Sequence, residues 1–153
     1  MVTVEVIATD NLGDRSYVVH DDTTAVVVDP QRDLDRVEAV LDAHHLRCAL
    51  VVETHIHNDY VTGGWELARR RGARYAVAAA DPVAFTRLAV ADGDELHAGS
   101  MTVRVLSTPG HTPTHLAYAV SDGTGTRWSS PAGRCYSAAW AAPTSSTLPA
   151  PTT

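Results

Sequence analysis

Short apolar segments separated by polar turns make up most of the chain, and their spacing predicts a sheet-rich domain with few helices. Continuous apolar runs at 25–28 and 49–52 are typical of strands that are covered on both faces. The apolar positions Val103 and Val105 alternate with polar ones, as in a strand with one buried face. Strands are therefore predicted over 2–7, 16–20, 25–28, 48–53, 75–80, 101–106 and 116–120.

Two segments between these strands show helical spacing. The first begins near Asp33, a candidate N-cap, and runs to His44, and the second covers 65–71 and ends at Gly72. Strands that alternate with helices predict an α/β domain of the layered α+β kind.

Composition limits the classes of function. At 153 residues and 44 % apolar content the chain fits one soluble domain, and no apolar run is long enough to cross a bilayer. A net charge of -6 argues against nucleic acid or an anionic membrane as partner. Two cysteines and the lack of a signal-peptide pattern make the cytoplasm the expected compartment.

The segment His55-Ile-His57-Asn-Asp59 directly follows a predicted buried strand. Two imidazoles and a carboxylate within five positions suit Zn(II), Fe(II) or Mn(II), and a spacing of two places both histidines on one side of an extended segment. The alternative is a polar loop with surface histidines. We predict a metal site formed by His55, His57 and Asp59.

A second candidate segment is 108–115, in which Pro109 and Gly110 predict a sharp turn that presents His111. An incidental turn with histidines is the alternative, but together with the first segment His111 becomes the expected distant ligand. His115, and also Tyr60 and Asp29, are candidates for supporting or substrate-side positions. Asp29 lies at the end of a buried strand, so we interpret it as a carboxylate that fixes a loop rather than as a metal ligand.

These two motifs resemble the metallo-β-lactamase superfamily, whose signature is H-x-H-x-D-H followed by a P-G-H turn. Together with 28–33, the segments 53–60 and 108–113 are similar to the persulfide dioxygenase branch, which includes proteins fused to rhodanese domains. The resemblance covers residues 1 to about 126. It implies an αββα sandwich of which this chain is the N-terminal part, with the metal at one edge of the two sheets.

The resemblance also implies two forms of chemistry. In the dioxygenases one Fe(II) is held by two histidines and an aspartate, and His55 and His111 match the two histidine positions. The reaction is the oxidation of a small-molecule persulfide by O2. In binuclear zinc hydrolases such as glyoxalase II, His57 would join His55 and His111 at one metal, while Asp59 would serve the other. There the substrate is a thioester.

Two departures from the family pattern bear on this choice. Tyr60 stands where the signature has its final histidine, which argues against the binuclear hydrolase. The aspartate that follows the P-G-H turn in the family has no counterpart here, so the iron triad is incomplete. Fe(II) is the favoured cofactor and Zn(II) the alternative. The favoured function is that of a persulfide dioxygenase. The alternatives are a thioester hydrolase and a non-catalytic remnant.

Residues 128–153 differ from the rest, since Ser, Ala, Pro and Thr dominate and no periodicity remains. Codons that could encode this segment can also be read in a shifted frame that starts at the last base of the Arg127 codon. In that frame they can encode an apolar strand and a Gly-rich loop, which resemble the continuation of the domain in the family. We therefore expect residues 1–127 to be the native part of the domain and 128–153 to result from a frameshift. The restored frame places glycine at the missing aspartate's position, and a rhodanese domain would be lost with the C-terminus. Such a chain is expected to be unstable or to aggregate, with little activity.

Overall fold

A computed structural model describes residues 1–9, 15–57, 61–123, 126–129 and 139–140. These residues form two sheets and two helices. The first sheet contains β1 (Thr3–Ala8), β2 (Arg15–His20), β3 (Thr24–Val28), β4 (Arg47–Val52), β5 (Arg74–Ala78) and β6 (Leu88–Val90). The second contains β7 (Glu95–Ala98), β8 (Met101–Ser107), β9 (Leu116–Ser121), β10 (Thr126–Ser129) and β11 (Ala139–Trp140). The helices are α1 (Asp35–Ala43) and α2 (Gly64–Arg71).

The first sheet has the order β1-β2-β3-β4-β5-β6, and it is antiparallel up to β3 and parallel from β3 to β6. The parallel pairs need crossover connections, which α1 supplies between β3 and β4 and α2 between β4 and β5. The second sheet, β11-β10-β9-β8-β7, is antiparallel throughout. Because β3, β4 and β5 run in the same direction, the residues that follow them meet at one edge of the first sheet.

Alternate residues of the first sheet pack in opposite directions, which explains the continuous apolar runs in the sequence. On one face, Val26 and Val28 pack with the second sheet, as do Leu50 and Val52. On the other face, Val27 packs with the side chains of the two helices. The described residues thus form three layers, helices, sheet and sheet, and the predicted layered α/β class is confirmed.

Most predicted elements are found within two residues of their predicted ends, and Gly72 ends α2 with a left-handed backbone (φ 64°) as expected. The first helix differs. It begins at Asp35 rather than near Asp33, and Leu34 occupies the cap position without a side-chain hydrogen bond. Leu34 is 4 % exposed and belongs to the core beneath the helices, so apolar burial rather than a polar cap fixes this helix start.

The chain after residue 123 is described only at 126–129 and 139–140, where β10 pairs with β9 and β11 pairs with β10. The rest of the predicted non-native segment lies outside the described residues, so the boundary at 127 stays a prediction. No helix in the described part of the chain is long and apolar enough to cross a membrane.

Asp21, in the turn between β2 and β3, ties the first sheet to the second. Its carboxylate accepts hydrogen bonds from the backbone N–H groups of Thr23 (2.8 Å) and Thr24 (2.7 Å), and from the N–H (3.0 Å) and hydroxyl (2.7 Å) of Ser100. Gly99 has φ 60°, and a Cβ at this position would lie 2.7 Å from Asp21 Oδ2. Desolvation by burial raises the pKa of Asp21, but the hydrogen bonds from Ser100, Thr23 and Thr24 outweigh it and hold the pKa below its ordinary value.

We expect Asp21→Ala to lower the free energy of unfolding by about 2 kcal/mol, because it removes the acceptor of four hydrogen bonds, one of them from the buried Thr24 N–H. Urea denaturation of the metal-free chain measures this change. The matched control is Asp22→Ala at the exposed neighbouring position, which should alter stability by less than about 0.5 kcal/mol. Equal effects of the two substitutions would show that Asp21 does not join the sheets energetically.

Candidate metal centre

Four histidine rings gather at the edge of the first sheet where β3, β4 and β5 end. His55 and His57 follow β4, whereas His111 and His115 lie in the connection between β8 and β9. The ring centroid of His55 is 4.0 Å from that of His57, 4.8 Å from that of His111 and 5.1 Å from that of His115. The His111 and His115 centroids are 6.3 Å apart. The two sheets therefore bring four of the candidate side chains together, with His55 within contact distance of the other three rings.

Asp29 lies beneath this cluster, directly after β3, and its side chain is fully buried. Its backbone has a positive φ of 47°, a conformation that Asp and Asn tolerate better than most residues. One carboxylate oxygen accepts the backbone N–H of Thr54 (2.6 Å), and the other accepts the Thr54 hydroxyl (2.7 Å). The strained backbone thus directs the carboxylate at Thr54, the second residue after β4.

The hydroxyl of Thr54 determines which nitrogen of His55 carries the proton. A hydroxyl has one hydrogen, and Thr54 donates it to Asp29, so its oxygen can only accept from His55 Nδ1 at 2.9 Å. Nδ1 is therefore protonated in the neutral ring, and Nε2 holds the lone pair. This tautomer leaves His55 Nε2 as the metal-binding atom.

His57 is oriented by two buried carboxyl groups. Its Nε2 lies 3.3 Å from Asp29 Oδ1 and 3.6 Å from Glu53 Oε2, and the three side chains are 4 %, 0 % and 1 % exposed. Since Nε2 faces carboxyl oxygens, the proton of the neutral ring belongs on Nε2 and the lone pair on Nδ1. A histidine that donates one N–H to a carboxylate is the usual arrangement of a metal ligand.

The two buried carboxyl groups at the site differ in acidity. Burial would raise the pKa of Asp29, but the hydrogen bond and charge of His57, together with the Thr54 hydrogen bonds, hold it below its ordinary value. Burial, and then the charge of Asp29, raise the pKa of Glu53 well above its ordinary value. Asp29 is therefore the more acidic group of the pair, and Glu53 is the one that keeps its proton more readily.

Burial and then the charge of His57 lower the pKa of His55 to about 4. Burial also lowers the pKa of His115, and the charge of His111 acts in the same direction. Both rings are thus neutral at pH 7. Metal binding requires this form of imidazole, because a protonated ring has no lone pair to offer.

The connection between β8 and β9 holds the remaining histidines. His115 is buried, and its Nδ1 lies 3.0 Å from the Thr108 hydroxyl, while the Thr108 N–H donates to the His115 carbonyl (2.9 Å). The exposed His111 lies in the turn between them, where the Gly110 N–H donates to the Thr112 carbonyl (3.2 Å). The predicted candidates Asp59 and Tyr60 lie outside the described residues.

Sequence reasoning missed two features. Glu53 contributes a buried carboxyl next to His57, and its signal was a single acidic residue directly after the apolar stretch 48–52. The second is the burial of His20, which is only 8 % exposed: its ring lies where β2 turns toward β3, and its Nδ1 bonds the Asp21 carbonyl (2.7 Å).

The donor set fits a divalent metal ion. Imidazole and carboxylate ligands are those that Zn(II) and Fe(II) use in proteins. His55 and His57 are each held with one nitrogen protonated toward the interior, and this leaves the other nitrogen for a metal. Donor atoms of Asp29, Glu53 and His57 also lie within 4.8 Å of one another, but the two carboxyl groups face Nε2 of His57, the nitrogen that carries its proton.

Solved structures share this fold. A metallo-β-lactamase from Staphylococcus aureus matches 82 % of the chain with a TM-score of 0.73 and 24 % identity, and the chain covers 42 % of it. ETHE1 from Myxococcus xanthus matches 81 % of the chain with a TM-score of 0.72 and 25 % identity, and the chain covers 55 % of it. The chain has the metallo-β-lactamase fold over part of that fold's length, as the sequence motifs predicted.

Curated sequence relatives are hydrolases. The hydroxyacylglutathione hydrolase of Acidiphilium cryptum is 38 % identical over 109 residues, which is 70 % of this chain. That of Cereibacter sphaeroides is 38 % identical over 112 residues. The chain spans less than half the length of these relatives, 44 % and 43 % respectively. No protein-family model matches the chain.

The stability of the metal-free chain should fall as the pH is lowered from about 6.5 to about 4. His55 has a pKa of about 4 in the folded chain against an ordinary value of 6.5, so within this interval the unfolded chain binds more protons. His55→Gln should reduce the slope of unfolding free energy against pH, measured by urea denaturation at a series of pH values. His97→Gln, at an exposed position, is the control. An unchanged slope in His55→Gln would show that His55 is not held neutral.

Proposed function

We propose that this chain carries the metal centre of a metal-dependent hydrolase that acts on thioesters of small thiols. One observation carries the proposal: a single buried carboxylate, Asp29, fixes both His55, through Thr54, and His57, each with a lone pair left for a metal. The names of the curated relatives support hydrolysis of a hydroxyacyl thioester. The matched part covers 44 % of the first of these relatives, so the proposal concerns the metal centre in particular.

His55, His57 and His111 would hold the metal, and Asp59 is the predicted carboxylate ligand. When bound, such a metal lowers the pKa of a water molecule and polarises a carbonyl group. The chain's own side chains orient the site. Asp29 supplies the buried negative charge that fixes the histidine tautomers, and His115 stacks on His55 with an interplanar angle of 26°. Zn(II) suits these nitrogen ligands, and a thioester carbonyl is the substrate group on which this chemistry acts.

A second candidate function is the oxidation of a small-molecule persulfide by O2 at Fe(II). The observation that favours it is Tyr60, which stands in the place of a histidine that a binuclear hydrolase uses for its second metal. A single metal with few protein ligands keeps open positions for O2 and a sulfur ligand. For either function we propose a small thiol derivative as substrate and the cytoplasm as compartment.

We expect the metal-free chain to bind about one Zn(II) or Fe(II), determined by elemental analysis after gel filtration. The Zn(II) form should hydrolyse S-lactoylglutathione only slowly, because the chain spans 44 % of the relative's length. The reaction is followed by thiol release. His55→Ala should lower metal affinity at least about 10-fold and abolish thiol release, whereas His97→Ala should change neither. The second function would be favoured if the Fe(II) form consumed O2 with glutathione persulfide and the Zn(II) form did not hydrolyse the thioester. Failure to retain any metal would contradict both.

We expect Asp29→Asn to lower Zn(II) affinity about 10- to 100-fold, because an amide nitrogen would face either the Thr54 hydroxyl or His57 Nε2. Asparagine tolerates the positive φ of position 29, so the backbone should keep its conformation. Competition with a chromophoric chelator measures the affinity. Affinity equal to that of the unsubstituted chain would show that the histidines do not depend on this carboxylate.

A further inference from the structure

Glu53 places a carboxyl group in the interior with 1 % exposure, directly after β4 and before Thr54. Burial of a carboxyl group costs free energy unless its oxygens find partners, so such a group needs a structural reason. The partners of Glu53 come from three different parts of the chain, and all of them lie around the loop that carries His55 and His57.

One oxygen of Glu53 closes this loop at its base. Oε1 accepts hydrogen bonds from the hydroxyl of Thr62 and from the Tyr75 hydroxyl at 3.0 Å. Glu53 precedes the loop and Thr62 follows it, so the bond between them joins the two ends of the segment 54–61. The Thr62 hydroxyl also accepts the Gly64 N–H (3.0 Å), and Thr62 forms a bridge with Gln31. The end of the loop is thereby fixed to the end of β3 and to the start of α2.

The start of α2 leaves room for this carboxyl group. A Cβ at position 64 would collide with Glu53 Oε1 and would lie 2.6 Å from the Tyr75 ring. Glycine at position 64 is therefore required by the space that the buried carboxyl and the tyrosine occupy. The glycine, the tyrosine and the threonine together form a compartment for the side chain of Glu53.

The other oxygen of Glu53 faces a metal-binding histidine. Oε2 lies 3.6 Å from His57 Nε2, and among the described residues it accepts no hydrogen bond. Asp29 Oδ1 lies 3.3 Å from the same nitrogen atom. The His57 ring is therefore held between two carboxyl groups, one attached to the end of β3 and the other to the end of β4.

We propose that Glu53 is a positioning residue of the metal centre: it clamps the ligand loop through Thr62 and restrains the ring of His57. This inference rests on the proposed metal-dependent function. Asp29 fixes both histidines through hydrogen bonds, whereas Glu53 limits how far the loop and the His57 ring can move. Without Glu53 the same ligands remain, but they converge on the metal less accurately.

The test compares Glu53→Gln with the unsubstituted full chain, with Zn(II) and Co(II) alone as probes. We expect Zn(II) affinity to fall about 10- to 100-fold, measured by competition with a chelator. The visible absorption spectrum of the Co(II) form, which reports coordination geometry, should change in position and intensity. Unfolding of the metal-free variant is measured in parallel, so that loss of folded protein is separated from loss of affinity.

Asp21→Asn is the matched control, since Asp21 is also a buried carboxylate but lies at the opposite end of the first sheet. It should lower stability and leave the Zn(II) affinity of the folded chain and the Co(II) spectrum unchanged. Tyr75→Phe is the milder second variant, because it removes one hydrogen bond to Oε1 and keeps the carboxyl group. It should reduce Zn(II) affinity by less than Glu53→Gln does.

Two results would overturn the inference. If Glu53→Gln binds Zn(II) as tightly as the unsubstituted chain and gives the same Co(II) spectrum, Glu53 only fills space, and the proposed function stands. If the unsubstituted folded chain takes up neither metal, the proposed function fails and the positioning role fails with it. The first result concerns the variant alone and the second concerns the unsubstituted chain, so the two failures are distinguishable.

Discussion

The carboxylate of Asp29 is the constraint on which the arrangement of the site depends. It is buried at the end of β3, its two oxygens accept hydrogen bonds from Thr54, and Oδ1 lies 3.3 Å from His57 Nε2. Through the Thr54 hydroxyl it also determines the tautomer of His55. The order of these residues in the sheet is essential, because β3 and β4 are parallel neighbours and end side by side. One anion thereby organises two histidine side chains that follow another strand.

The second sheet completes the site from the other side. Thr54 accepts the Leu116 N–H (2.7 Å) through its carbonyl, and the Tyr118 hydroxyl donates to the Glu53 carbonyl (2.7 Å). These bonds fix the start of β9 against the end of β4. They also fix the preceding connection, in which His111 and His115 lie. The site therefore depends on the packing of the two sheets as much as on the loop after β4.

The sequence predicted the fold class and most strands, because apolar runs are local signals. It predicted the meeting of His55, His57 and His111 because their two motifs occur together. It did not predict β6 and β7, which are three and four residues long and carry little periodicity. It also missed Glu53, since the importance of this residue comes from contacts with Thr62 and Tyr75, 9 and 22 positions away. Such contacts exist only once β4, β5 and the loop are assembled.

Because the histidines come from both sheets, a metal bound among them would act as a cross-link in the folded chain. A ligand that binds only the folded state adds stability that grows with the logarithm of its free concentration. In a domain whose sheets meet at this edge, such a cross-link would slow the separation of the two sheets during unfolding. The concentration of free metal would then set how long the chain stays folded.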